Sequence, residues 1–156
     1  MSLLYLEDLS PGQQFRGGAP ARIEDERVRT FAAEFDPQPF HLEDGAAASS
    51  IFQGLAASGW HTAAVTMRLL VASDFKPAGG IIGAGFEELR WPLPVRPGDE
   101  LRVECEVLEV RPSKSRPDQG LVKLRTTTLN QDDRPVQISV GSLVVMRREA
   151  IPAGSN

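Results

Sequence analysis

The sequence predicts an α+β fold in which a curved antiparallel sheet packs around one apolar helix. Three observations lead there. The first half of the chain carries helical periodicity, and the second half alternates apolar with polar residues at the spacing of two that belongs to strands. The segments between those strands are also too short for the crossovers that parallel pairing needs.

Residues 23–35 (IEDERVRTFAAEF) set Ile23, Val28, Phe31, Ala32 and Phe35 on one apolar face, with acids near the start where the helix dipole favours them. Residues 42–50 are mostly small or acidic and predict a short helix. A longer helix is expected over 59–75 (GWHTAAVTMRLLVASDF), which is rich in alanine and apolar on most sides, so burial is expected. Residues 81–91 open the strand half. In 100–110 (ELRVECEVLEV) Leu101, Val103, Cys105 and Val107 alternate with Arg102, Glu104 and Glu106. Leu108 then follows Val107 directly, a phase slip that predicts a bulge near 106–109. The loop 113–120 (SKSRPDQG), a strand at 121–129, the turn NQDDR and a strand at 136–146 complete the sheet. Residues 1–150 are expected to form one domain and the tail 151–156 (IPAGSN) to be disordered.

Composition excludes several classes of function. With 156 residues and a net charge of −4, the chain has no polyanion-binding footprint, so no nucleic-acid partner is expected. The single Cys105 rules out an internal disulfide and a cysteine-cluster metal site, and two histidines without an acid cluster of ligand spacing predict no metal. The opening MSLLYLEDLSPG does not read as a signal peptide, and no apolar run is long enough for a membrane span. A cytoplasmic location with no membrane partner is the expectation.

The stretch FDPQPFHLED carries the chemistry. Asp36 and Gln38 each precede a proline and are pushed towards extended backbone, while Pro37 and Pro39 have fixed φ. Asp36 to His41 is therefore a stiff path between a carboxylate and an imidazole. Two readings follow: a helix start with Asp36 as N-cap and Pro37 at its first position, or an acid/base pair held for catalysis.

Asp36-Pro37-Gln38-Pro39-Phe40-His41 resembles the D-x-N-P-x-H signature of the MaoC-like dehydratases, the (R)-specific enoyl-CoA hydratase group of the hotdog superfamily. The opening YLEDLSPG, the acidic helix before the signature, Phe52, the glycine opening the central helix and the turn PVRPGD at 94–99 also resemble that family, so the resemblance covers roughly residues 5–148. It departs from the pattern at Gln38, where the family has asparagine, and at Phe35, where a glycine is frequent.

The resemblance implies a hotdog domain that reversibly hydrates a trans-2-enoyl-CoA to an (R)-3-hydroxyacyl-CoA without a cofactor. Asp36 and His41 would activate one water, and Gly59 would donate its N–H to the thioester oxygen. It also implies a homodimer or higher homo-oligomer with active sites near the interface. Gln38, Trp60 and His61 are candidate substrate contacts. The favoured reading of His61 is nevertheless a core histidine bonded to backbone, and that of Trp60 and Met67 is core or pocket wall. Arg111, Lys114 and Arg116 could hold coenzyme A phosphates or simply crown a solvated hairpin. Cys105 reads as structural. The rival functions are a hotdog acyl-CoA thioesterase and a non-catalytic acyl-thioester-binding subunit.

Overall fold

A computed structural model describes residues 2–149, so the tail expected to be disordered lies outside the described residues. Two short strands, β1 (Gln14–Arg16) and β2 (Ala21–Arg22), precede the helices α1 (Asp25–Phe35), α2 (Asp44–Ala48) and α3 (Gly59–Val71). Then come β3 (Ile82–Arg90), β4 (Glu100–Pro112), β5 (Gln119–Leu129) and β6 (Pro135–Met146). The strands are antiparallel in the order β1-β4-β5-β6-β3, and β2 pairs with β4 beyond β1. The sheet packs against α3, as the α+β reading expects, and this is the hotdog arrangement.

The alternation in β4 sets the core. Leu101, Val103, Cys105 and Val107 are all buried, and the register with β5 shifts between Val107 and Glu109, where the phase slip predicts a bulge. Two buried clusters meet under α3. Leu69 joins Ile23, Val28, Leu55, Val95, Leu101 and Val136. Leu70 joins Phe75, Val107, Val122, Leu124 and Val145. Adjacent helix residues thus serve opposite ends of one core, which is why α3 fixes the fold.

Four expectations need correction. The strands β1 and β2 fall in a half that reads as helical, because two- and three-residue strands carry too little pattern to detect. Phe35 is 64% exposed although helical spacing places it on the apolar face. α3 is buried on one side only, with Trp60, Met67 and Val71 open to solvent. A helix apolar all round needs cover on every side, and one copy of the sheet supplies it on one. Asp36, finally, closes α1 rather than starting the next helix: its N–H bonds the Ala32 carbonyl, and Pro37 forces it out of helical φ and ψ. Pro39 instead takes the first position of a single 3-10 turn, Pro39–His41.

Candidate active site

The two prolines place Asp36 and His41 on the same side of a tight reversal. The Gln38 N–H bonds the Asp36 carbonyl at 2.7 Å, and the His41 N–H bonds the Gln38 carbonyl at 3.0 Å. The result is an Asp36 Oδ2 to His41 Nε2 separation of 3.3 Å, with the side chains 17% and 6% exposed. Phe40 meets the His41 ring edge-on at 4.6 Å and Phe52 lies 6.1 Å from it, so the imidazole has an apolar wall.

The other ring nitrogen decides the tautomer. His41 Nδ1 lies 2.6 Å from the Ala56 carbonyl oxygen, and a carbonyl only accepts. Nδ1 therefore carries the hydrogen, and in the neutral ring Nε2 presents a lone pair towards Asp36. A carboxylate oxygen and that lone pair, 3.3 Å apart, are two acceptors facing one another. They need a shared proton or a donor molecule that serves both.

Asp36 is ionised by its surroundings. Burial pushes the carboxyl up, but hydrogen bonds from Ser58 and Gln38, together with the positive charge of the His41 ring when it is protonated, outweigh it and hold the group below the usual carboxylate range. Ser58 Oγ donates to Asp36 Oδ2 at 2.7 Å and accepts the Trp60 N–H at 3.2 Å. Ser58 is the N-cap of α3 and is fully buried. The carboxylate is thus tied to the first turn of the central helix.

Gly59 opens that 13-residue helix. Among the described residues its N–H has no acceptor, as befits one of the four orphan donors of a helix start. A Cβ at Gly59 would come within 2.7 Å of the Trp91 indole, so the glycine lets Trp91 lie flat against the helix start. Trp91 Nε1 in turn donates to Gln137 Oε1 at 2.9 Å.

The turn at 94–99 braces the same region. Arg96-Pro97-Gly98-Asp99 closes through the Asp99 N–H to the Arg96 carbonyl, with proline second and Gly98 at φ +93° third, a type II turn. From it the Arg96 guanidinium donates to the carbonyls of Gly54 at 2.8 Å, Leu55 at 3.2 Å and Phe52. The Ala57 N–H bonds the Val95 carbonyl. Residues 52–57, which present the Ala56 carbonyl to His41, are held by this turn.

The remaining sequence candidates are dispersed. Gln38 sends its amide N–H to Asp36 Oδ1. Trp60 lines a cleft of about 310 Å³ between α3 and strands β3, β5 and β6. His61 faces the other way, stacked on Phe31 at 4.8 Å; its Nδ1 is buried without a partner, and no backbone bond holds it among the described residues. Burial, then the charge of Arg27, lowers its pKa, so the neutral ring is favoured. Arg111, Lys114 and Arg116 are exposed around the β4–β5 hairpin. They stand ten residues or so along β4 from the Val103 cluster that packs Phe40, on the order of 30 Å. One chain does not bring them to Asp36. Among the described residues no group of three His, Cys, Asp or Glu could hold a metal ion.

Sequence reasoning misses Ser58, Ala56, Trp91 and Arg96. Ser58 had a readable signal, a serine directly before a helix start. The Ala56 carbonyl had none, because any residue supplies one.

Comparison with known proteins gives a consistent set of relatives. A family model described as a MaoC like domain matches residues 8–129. The uncharacterized protein YdeM of Bacillus subtilis (strain 168) is 30% identical over 143 residues, 92% of this chain and 98% of its own. The solved MaoC-like dehydratase from Rhodospirillum rubrum is 57% identical with a TM-score of 0.89, covering 94% of this chain and 99% of that one. The (R)-hydratase from A. caviae involved in PHA biosynthesis is 29% identical with a TM-score of 0.66 (90% and 98% covered). The R-hydratase PhaJ1 from Pseudomonas aeruginosa is 27% identical with a TM-score of 0.68 (93% and 86% covered).

Proposed function

The chain belongs to the MaoC-like dehydratase family, and from that premise we propose that it reversibly hydrates a trans-2-enoyl thioester of coenzyme A to the (R)-3-hydroxyacyl thioester. The observation that carries the reading is the pair of facing acceptors. With Nδ1 committed to Ala56, His41 Nε2 and Asp36 Oδ2 together ask for a molecule with two hydrogens to give, and water is that molecule.

In the forward direction His41 Nε2 takes one proton of the water while Asp36 Oδ2 holds the other. The water oxygen bonds to C3 of the enoyl group, the C2=C3 π pair moves towards the thioester, and a proton returns from the pair to C2. Dehydration is the reverse. The net addition is one water, and the pair ends as it began. Negative charge on the thioester oxygen is met by the Gly59 N–H at the positive end of α3. No redox or group-transfer cofactor is required by this balance.

A homodimer completes the reading. β3 is a sheet edge exposed along most of its length, with Ile82 and Phe86 open to solvent beside Trp60, Met67 and Val71 of α3. An exposed edge next to an apolar helix face favours a second copy pairing β3 with β3. The same two-fold is the route by which the remote basic hairpin could serve a partner's substrate.

The test is hydration of crotonyl-CoA, followed by loss of the conjugated-thioester absorbance, with wild type, Asp36→Asn and His41→Ala side by side. Turnover by wild type, reduced at least about 10²-fold in each variant, is expected. Release of free coenzyme A instead of gain of water makes the protein a thioesterase. Binding without product makes it an acyl-thioester-binding subunit.

A further inference from the structure

The cleft beside α3 has a floor that an acyl pocket for plain hydrocarbon does not need. Its rim is apolar and exposed, formed by Trp60, Met67 and Phe86. Its floor, on the inward face of β5 and β6, carries Thr126, Gln137 and Ser139, only 4%, 3% and 6% exposed. Thr126 and Ser139 are direct cross-strand partners, and Gln137 precedes Ser139 by two residues along β6 on the same face. Three hydrogen-bonding side chains therefore converge at the bottom of an apolar cleft.

Two neighbouring polar contacts are already made. Thr66 and Thr128 bond each other at 2.7 Å, and Gln137 Oε1 accepts from Trp91. Among the described residues the Thr126 hydroxyl, the Ser139 hydroxyl and the Gln137 amide nitrogen have no protein partner, and none is sealed from the cleft. Opening onto the cleft, these groups are free to meet a ligand atom that enters it, and sites built to hydrogen-bond a substrate group reject analogues that lack it. Among the described residues no charged side chain lines the cleft, so a buried carboxylate would have no counter-charge there. Gln137 Nε2 only donates, and the two hydroxyls donate or accept, so an oxygen substituent able to accept suits all three.

The cleft is joined to the candidate site through one short path. Trp60, on its rim, gives its N–H to Ser58, whose hydroxyl bonds Asp36, and Trp91 links Gly59 to Gln137. Resting on the hydratase reading, we infer that the acyl group this protein takes carries a neutral oxygen substituent, a hydroxyl or an oxo group, beyond its reacting C2=C3 bond, and that Thr126, Gln137 and Ser139 select it.

The experiment compares kcat/KM for trans-2-octenoyl-CoA with its 5-, 6- and 7-oxo and 5-, 6- and 7-hydroxy analogues, with crotonyl-CoA as the short reference. Wild type is expected to prefer at least one oxygenated chain over the plain one by about 10-fold or more. Gln137→Leu and Ser139→Ala should each reduce that ratio several-fold; the smaller Ser139→Ala change decides the matter if the leucine variant does not fold. Equal or better use of the plain chain by wild type, with hydration intact, overturns the inference alone. A preference unmoved by the Ser139→Ala change overturns the assignment of the floor. No hydration of any thioester, crotonyl-CoA included, removes the hydratase reading and this inference with it.

Discussion

Ser58 Oγ lies 2.7 Å from Asp36 Oδ2 and already accepts the Trp60 N–H, so its own hydrogen points at the carboxylate. One hydroxyl thereby caps the central helix and sets the charge of the neighbouring acid. The two roles separate in different measurements.

Ser58→Ala removes a hydrogen bond that favours the ionised carboxyl, so the Asp36 pKa rises. A base that must be ionised then fails at higher pH on the acid side. The acid limb of the kcat/KM profile should move to higher pH, and the pH–rate profile measures it. Loss of the cap should also lower stability by about 1 kcal/mol, read by denaturant unfolding. A role confined to capping would give the second effect without the first.

Gly59 has two reasons to be glycine, and they predict different rescues. Gly59→Ala drives a Cβ into the Trp91 indole and should cost about 1–3 kcal/mol, with a change in tryptophan fluorescence. Trimming the indole in Gly59→Ala/Trp91→Ala relieves the clash. If the Gly59 N–H must also approach the thioester oxygen closely, the double variant regains folding while kcat remains at least about 10-fold down. Full recovery of kcat would leave packing as the only reason for the glycine.

Arg96 acts on His41 at one remove, through the loop that carries the Ala56 carbonyl. Arg96→Lys keeps the charge but cannot reach three carbonyls from one planar fork. A loss of about 1–3 kcal/mol in unfolding free energy is expected. kcat should fall about 10-fold with KM little changed, because the imidazole is misaimed rather than the substrate unbound. Steady-state kinetics and urea unfolding check both.

Cys105 should be silent. Burial pushes its thiol up to about 12, so little thiolate is present at neutral pH. Thiol reagents such as DTNB should leave the native protein unmodified over minutes and react with one equivalent in denaturant. Rapid native reaction would show that the strand opens readily at β4.

Periodic elements were legible because each repeats one physical demand many times. The alternation of β4 and the phase slip after Val107 were readable, since every second side chain must face the core and one extra residue breaks the count. Asp36 and His41 were legible as a stiffened pair because proline acts on its neighbours locally. The helix over 23–35 was legible to its end, but one of the two readings of Asp36 made it the start of the next helix, since an Asp-Pro step suits both and only the bond to the Ala32 carbonyl settles which.

Sequence by itself determined the α+β class through local spacing and the family through the resemblance of its motifs, and it marked Asp36 and His41 as a stiffened candidate pair. Tertiary structure alone decided the tautomer of His41, the hydroxyl on Asp36, the indole on Gly59 and the polar floor under α3. Those features join residues far apart along the chain, such as Trp91 and Gln137, and their energies depend on distance and burial. A sequence records which groups are present; folding decides which of them are left facing one another.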